Sequence, residues 1–549
     1  MLISSTEKII CLGKAEKCKK TIFENGDKML KLVKRALIYT KKNGIKSFIP
    51  RVKRYFADKD VLKVYYAKTA LKSSDIKKQR NVKFQYEPLI SIIIPLYNTP
   101  LNFFNELLDT ITNQTYGNWE LCLADGTGKE TDVTKTCLEL MKKDKRIKYK
   151  MLENNGGISE NTNAALAMAT GEFIMLADHD DLLELDALYE CVLAINNDMT
   201  IDSVYTDEDK VDLSGKKKAE PHLKPDFNIE YLRTNNYICH IFLTRREIAL
   251  KVGGFSKEYD GAQDFDFILK CTEQSRTVHH VPRVLYHWRC HINSTAAKPE
   301  SKLYAYEAGV KAVAKHYERC GIPATVRRNE NFYGYYIAER EVPTGLTDDV
   351  KVISSQDVAD INKIINESDN KYILLVSEEI KTEDKTISRL MEYAMEEEVA
   401  AVTCKMYDKN NKVVQGPIML GLDGLCYYSM TELDVDDPGY FRRSSEPQNV
   451  TVADYRCVML KKDIVLAQGG LNEKLPLGLA VFEYSLLAEK DKMRTVFTPY
   501  TKVLYTGKQP VPEYGSEEKE LFIGTWKERL ERGDAYYNKN FEINRRMFG

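Results

Sequence analysis

From residue 89 onward the chain alternates short apolar stretches with amphipathic ones, and this alternation restricts the fold more than any other feature. "LISIIIPLY" (89–97) reads as a buried strand, "LNFFNELLDTITNQT" as an amphipathic helix and "WELCLADG" as a second strand. "TDVTKTCLELMKKD", "IKYKMLE", "SENTNAALAMAT" and "GEFIMLADHDD" continue as helix, strand, helix and strand. Segments of period 3.6 and period 2 bury different faces and cannot substitute for one another. Strands separated by helices return to one sheet as parallel neighbours. The pattern predicts an α/β fold with a mostly parallel sheet and helices on both faces, whose ligands bind at the carboxyl ends of the strands. Asp125 and the cluster Asp178, His179, Asp180 and Asp181 stand at two of those ends.

The second constraint is an internal repeat. The segment 243–288 can be laid on 460–507: Gly253-Gly254-Phe255 matches Gly469-Gly470-Leu471, Pro282 matches Pro499, and Leu285-Tyr286 matches Leu504-Tyr505. "GEFIMLADHDDLLELDAL" likewise matches "NKYILLVSEEIKTEDKTI". Segments that recur in the same order predict a second domain of the same fold. The expected boundaries are 1–87 for a leader, 88–335 for the first domain and 345–549 for the second. The copies keep their apolar frame and differ in their acids. Asp178-His179-Asp180 becomes Ser377-Glu378-Glu379, or a neighbouring register, and Asp264 is matched by Val481. Carboxylates needed for folding are expected in both copies, so those confined to the first point to chemistry.

Charge is distributed unevenly. Residues 1–87 hold 23 Lys and Arg against 8 Asp and Glu, a net +15, which leaves −16 for the rest of a chain whose net charge is −1. Within the leader, Met29, Leu30, Val33, Leu37 and Ile38 recur at helical spacing with lysines and arginines on the other face. A basic amphipathic helix over 23–56 can lie on an anionic membrane surface, or pack as a solvated hairpin on the next domain. No signal peptide and no membrane-spanning run is read from the sequence, and twelve scattered cysteines without a CxxC pair suit a reducing cytoplasm. No nucleic-acid partner is expected.

Three carboxylates within four residues repel one another and call for a cation. Hard oxygen ligands at the mouth of a sheet suit Mg²⁺ or Mn²⁺. Asp178 and Asp180, two apart in an extended segment, can face one ligand, while Asp181 would cap a helix beginning near Leu182. "GTGKET" (126–131) lacks the glycine and the Ser/Thr of a phosphate loop.

With "ISIIIPLYN", "WELCLADGT", "NNGGISENTNAAL", "FIMLADHDDLL", "VYTDEDKVD", "KPDF", "GGFSKEYDGAQDFDF" and "VPRVLYHWRCHINSTA" in order over about 89–330, the chain resembles a family 2 glycosyltransferase of the GT-A fold. It is similar in particular to bacterial enzymes that build O-antigen, capsule or other surface polysaccharides. The second copy resembles the same superfamily more loosely, as a degenerate GT-A-like domain. The resemblance implies roles residue by residue. Pro95, Tyr97 and Asn98 would border the nucleotide base. Asp125 would accept from its imide, although the chain reads "ADGT" where the family commonly has "DDGS". The helix after "NNGGIS", with Asn163, would face the diphosphate. Asp178 would hold the ribose or the metal, Asp180 the metal, and His287 would be a third metal ligand, with Arg289 on the diphosphate. Asp264 would be the catalytic base, with Asp266 two residues on, while Asp207 and Glu208 would lie near the donor or acceptor sugar.

The function implied is inverting transfer of a sugar from a UDP- or dTDP-linked donor, with Mn²⁺ or Mg²⁺, to a growing surface glycan or polyprenyl-linked oligosaccharide. The leader would hold the enzyme peripherally on the inner face of the bacterial plasma membrane. Three alternatives stand beside it. A nucleotidyltransferase needs a glycine-rich basic loop that "IIIPLYN" does not supply. A silent glycan-binding scaffold would not need Asp178, Asp180 and Asp264. A bifunctional polymerase would have to use Glu378, Glu379 and Glu483 in the second domain.

Overall fold

The structure is a computed structural model describing residues 65–290, 303–431 and 433–541. The helix expected over 23–56 and most of the basic leader lie outside the described residues. The chain divides into two units, 1–70 and 71–549. In the first, residues 65–69 are helical. The second contains both predicted sheets.

The first sheet has nine strands: β1 (Ile90–Leu96), β2 (Trp119–Asp125), β3 (Ile147–Met151), β4 (Phe173–Leu176), β5 (Leu182–Leu183), β6 (Ile201–Val211), β7 (Lys218–His222), β8 (Phe242–Arg245) and β9 (Thr277–Arg289). Their order is β3-β2-β1-β4-β8-β6-β9-β5, with β7 on β6. β1 shows why helices cover both faces. Ile92 and Ile94 point into one core with Phe104, Leu107 and Ile111 of helix Leu101–Thr112. Ile93 points into the other, with Ala165 and Leu166 of helix Ile158–Met168 and Ile268 of helix Gln263–Gln274.

The sheet is parallel from β3 to β4 and again between β6 and β9. β8 runs antiparallel to both β4 and β6, and β5 antiparallel to β9. The mostly parallel sheet is thus corrected to a mixed one. The segment between β7 and β8 holds a single helical turn, Ile229–Leu232, and an antiparallel neighbour requires no helical crossover.

The second sheet repeats this plan. Strands Val350–Ile353, Tyr372–Val376, Cys457–Lys461, Val399–Tyr407, Arg494–Tyr505 and Ile380–Lys381 lie in that order, with Val413–Gln415 on 399–407. Each neighbour has the sense of its counterpart in β1-β4-β8-β6-β9-β5 with β7 on β6. Among the described residues this sheet has no counterpart of β2 and β3.

One brace is common to both copies. Asn163 accepts from Phe255 N–H at 2.9 Å and donates to Phe255 C=O at 2.7 Å; Asn362 does the same to Leu471 at 2.9 and 2.9 Å. Gly254 and Gly470 precede those residues at φ +64° and +94°. A Cβ on Gly254 would come within 2.5 Å of Asn163 Oδ1, so the brace explains the glycine there.

The two sheets meet over a buried ionic cluster. Glu230 accepts from Arg233 (2.7 Å), Arg340 (2.5 Å) and Arg494 (2.7 Å), and Glu396 pairs with the same three arginines at 2.6–3.0 Å. Arg340 also lies over the Tyr393 ring at 4.1 Å. Three guanidinium groups spread over two carboxylates are paired tightly enough to survive burial.

Candidate functional site

The carboxyl ends of β1, β2 and β4 open along one edge. Tyr97 is exposed just past β1, and Asn98, at φ +48°, donates its N–H to Thr127 Oγ1 at 3.0 Å. Pro95 stays within β1, opposite Ala124. Asp125 ends β2 but does not face the opening. It is buried, and accepts from Thr127 N–H and Tyr149 O–H, both at 2.9 Å. These bonds make it a brace of the Gly126 turn rather than a free acceptor for a base. The helix Ile158–Met168 is similarly occupied at its amino end. Asp260 accepts from Ser159 O–H at 2.5 Å and Ser159 N–H at 3.4 Å, so a carboxylate already sits where the diphosphate was expected. Asn163 is removed from donor binding by its brace to Phe255.

After β4 the acidic loop divides. Asp178 remains half-exposed, its N–H donating to Tyr286 Oη at 3.1 Å. Asp181 is buried, accepting from Tyr286 O–H at 2.6 Å and Arg289 N–H at 2.7 Å. It caps no helix, because Leu182–Leu183 form β5 and the next helix starts at Ala187. Burial, then the charges of Asp178 and Asp180, push the Asp181 carboxyl well above the usual carboxylate range.

Arg289 is also buried. It donates to Asp180 C=O (2.7 Å), Leu213 C=O (3.0 Å) and Glu106 (2.6 Å) and lies over the Phe103 ring at 4.5 Å. It fixes the loop from beneath and is not available to a diphosphate. His287 is corrected as well. Its Nδ1 faces Asp209 at 2.6 Å and its Nε2 faces Glu184 at 3.0 Å, so neither nitrogen is left for a metal. Burial alone would lower its pKa, but those two carboxylates raise it.

The imidazole that does face the loop is His240, which the sequence reading missed. Its Nε2 lies 3.6 Å from Asp178 Oδ2, its ring stacks on Tyr286 at 4.6 Å, and its Nδ1 is buried without a hydrogen bond. One ligand atom each from Asp178, Asp181 and His240 fits within a 4.8 Å cluster. Asp180 is not in that cluster. Two hard carboxylate oxygens and an imidazole with an unsatisfied neighbour nitrogen are a donor set that Mn²⁺ or Mg²⁺ fits.

The motifs around His240 deliver it. The buried Lys224 of "KPDF" donates to Ile238 C=O (2.6 Å) and His240 C=O (2.8 Å) and pairs with Glu208 at 3.2 Å. Glu208 accepts from His240 N–H at 3.2 Å. Glu208 thus positions the histidine. Asp207 lies still deeper, holding His280 at 2.9 Å, Lys224 N–H at 2.8 Å and the Asn538 amide at 2.9 Å, so it is no sugar contact. One signal could have found His240. Carried upstream from the two glycine pairs, the repeat sets His240 against Arg456. The matched bonds Arg246 N–H to Glu172 C=O and Lys462 N–H to Lys371 C=O fix that register.

Beside this loop a cleft of about 430 Å³ is lined by Glu208, Asn236, Asp264, Trp288 and Tyr336. Asp264 stands in the first turn of helix Gln263–Gln274, and accepts from the Asn236 amide at 2.9 Å. Burial raises its pKa; His240 opposes that shift and Asp178 adds to it. Asp266, by contrast, faces the body of the domain, paired with Lys270 at 2.8 Å with Arg319 at 3.8 Å. It cannot share the cleft.

Residues 91–253 match the model of the family described as Glycosyl transferase family 2. The protein y4gI of Sinorhizobium fredii, whose name calls it uncharacterized, is 27% identical over 85% of this chain and 59% of its own length. The O-antigen biosynthesis protein RfbC of Myxococcus xanthus is 23% identical over 83% of this chain and 40% of its own length. The chain therefore spans roughly half the length of these relatives. Among solved structures, S. aureus TarS 1-349 in complex with UDP-GlcNAc aligns with a TM-score of 0.34 at 21% identity, over 41% of this chain and 66% of that one.

Proposed function

We propose, from the chain's membership of glycosyltransferase family 2, that its first domain moves a sugar from a UDP- or dTDP-linked donor to a growing surface glycan or polyprenyl-linked oligosaccharide, with inversion. The observation that carries this is that Asp178 and His240, 3.6 Å apart, both lie near enough to Asp264 to act on its carboxyl, which lines the neighbouring cleft. The Asp264 carboxylate takes the proton of an acceptor hydroxyl as that oxygen forms its bond to C1 of the sugar. The bond from C1 to the diphosphate oxygen breaks on the opposite face, and the nucleoside diphosphate leaves with the electron pair. Asn236 holds Asp264 in place, and Trp288 offers a flat wall for a sugar ring. Asp178, Asp181 and His240 would hold Mn²⁺ or Mg²⁺, which when bound neutralises charge on the leaving diphosphate.

The second domain is a degenerate copy. Counted from the amino end of its helix, Gly478 takes the place of Asp264; by sequence match Val481 does, and Val481 is in the core. Glu483, which a bifunctional polymerase would need, is tied to Asn472 at 2.7 Å and Trp526 at 3.2 Å. No helix among the described residues is long and apolar enough to cross a membrane. Peripheral attachment to the inner membrane face through residues 1–87 belongs to the same proposal.

The test is a panel of nucleotide sugars with Mn²⁺, measuring release of the nucleoside diphosphate. Wild-type protein releases it from at least one donor. Asp264→Asn binds that donor but transfers roughly 10²–10⁴-fold more slowly. Equal turnover by both removes Asp264 from the mechanism, and no release from any donor returns the chain to a binding role.

A further inference from the structure

The second domain repeats the first strand for strand from β1 to β5 but has no counterpart of β2 and β3 among the described residues. In the first domain those strands carry the turn that Asp125 braces through Thr127 N–H and Tyr149 O–H. The register of the two sheets also shows what replaced the metal site. Ser377 stands for Asp178 and Arg456 for His240, with Ser377 N–H donating to Arg456 C=O at 2.9 Å. The Arg456 guanidinium is neutralised by Asp454 at 2.6 Å and donates to Pro510 C=O at 2.8 Å. It therefore presents no spare charge to a diphosphate.

The cleft itself has not closed. At the same strand ends a cavity of about 370 Å³ remains, within the size range of small-ligand sites. Tyr455, Tyr505 and Tyr514 provide aromatic walls, while Gln356, Glu379 and Glu513 provide amide and carboxylate groups. The Tyr514 hydroxyl is buried without a hydrogen bond, packed over Gly478, where a Cβ would come within 2.3 Å of it. Flat aromatic faces edged by carboxylates and amides suit a ligand with apolar ring faces and many hydroxyl groups. The two carboxylates, with Arg456 already paired, disfavour an anion.

We infer that this cleft is a saccharide-binding site that holds an uncharged stretch of glycan without turning it over. It lies where Asp180, His240 and Tyr286 stand in the first domain, with Glu379, Arg456 and Tyr505 in their places. The inference takes only the identity of the glycan, as acceptor or product, from the function proposed above.

The test uses the full chain on an array of uncharged bacterial surface oligosaccharides, in EDTA and without donor. Wild type and Asp264→Asn should retain the same oligosaccharides. Tyr455→Ala should weaken that signal at least tenfold. So should Gln356→Ala combined with Glu513→Ala, two exposed positions where folding is not at stake. UDP binding with Mn²⁺ should not change in any of these variants. The inference is overturned if the parent protein retains no oligosaccharide, if the variants bind as the parent does, or if Trp288→Ala in the first cleft abolishes the signal instead. Donor turnover surviving in Asp264→Asn would sink the transferase mechanism and leave the array result standing.

Discussion

Replacing Lys224 by methionine keeps the length of a side chain with no exposed surface and deletes its charge. Two carbonyls, Ile238 and His240, then lose donors at 2.6 and 2.8 Å, and the Glu208 carboxylate loses the cation 3.2 Å away. What remains for Glu208 is the His240 N–H and His222, 3.7 Å off. Breaking a buried ion pair from one side costs about 3–5 kcal/mol, most of it the uncompensated charge. At about 2–4 °C per kcal/mol, the melting temperature should fall by roughly 6–20 °C. Lys224→Met combined with Glu208→Gln should recover part of that loss. Acid supplies a second check. Burial pushes Glu208 up, but Lys224 and His222 outweigh it and hold the carboxyl down at about 2, against an ordinary 4.5. A depressed carboxylate contributes stability above its unfolded value and loses it as pH falls through its folded one. The gap between wild type and Lys224→Met should therefore be widest near neutral pH and narrow between about 4.5 and 2. Because Lys224 fixes the backbone of His240, calorimetric titration should also show weaker Mn²⁺ binding. A variant melting within a degree or two of wild type, or a double variant less stable than the single, refutes this account of the Lys224 network.

His240→Ala should weaken Mn²⁺ binding with little effect on melting, whereas His287→Ala should lower the melting temperature and leave Mn²⁺ affinity unchanged; the reverse outcome would reinstate His287 as a ligand. Glu230→Gln leaves three arginines against Glu396 alone and should cost about 3–5 kcal/mol in thermal or urea unfolding. By comparison Glu398→Gln, exposed and 3.6 Å from Arg494, should cost less than about 1 kcal/mol. Asn163→Ala and Asn362→Ala each strand a buried N–H and C=O, and both should lose about 1–3 kcal/mol of stability in urea titrations. A loss confined to donor binding in Asn163→Ala would restore its ligand role.

The strands and helices of the first domain were legible because each is a run of one period, and "ISIIIPL" or "FFNELLDTI" can bury only one kind of surface. The second domain was legible because Gly-Gly, Pro and Leu-Tyr recur at matched places. Strand direction was not, since "IFLTR" reads the same whether it runs with β4 or against it. Nor were side-chain partners, which sequence distance hides. Arg289 reaches Glu106 across 183 residues and Asp207 reaches Asn538 across 331. Family resemblance assigned both to ligands, but each is consumed by the fold. His240 failed for the opposite reason. Nothing within "NYICHIFL" itself marks the imidazole as functional; the mark lies in the repeat, which puts Arg456 in its place.

The two copies separate scaffold from chemistry more sharply than either does alone. The asparagine brace, the glycine pair and a tyrosine at the position of Tyr286 occur in both, so they serve the fold. Tyr286 nevertheless spans both uses. In the first domain its hydroxyl ties Asp178 N–H to the Asp181 carboxylate, while in the second Tyr505 donates instead to Gln509 C=O at 2.6 Å. The same ring on the same strand thus orders an acidic loop where acids are present and a neutral one where they are not. The first domain reaches β5 two residues later than the second reaches its counterpart, with Leu183 opposite Tyr286 and Ile380 opposite Tyr505, and regains them before the next helix, at Ala187 against Thr386. Those two residues supply the length that lets Asp181 fold back under Asp178. Removing two residues here should therefore abolish Mn²⁺ binding while β4, β5 and β9 keep their pairing, which turns the first loop into the second. Retained Mn²⁺ affinity in that deletion would mean that His240 and Asp178 suffice and that Asp181 is structural.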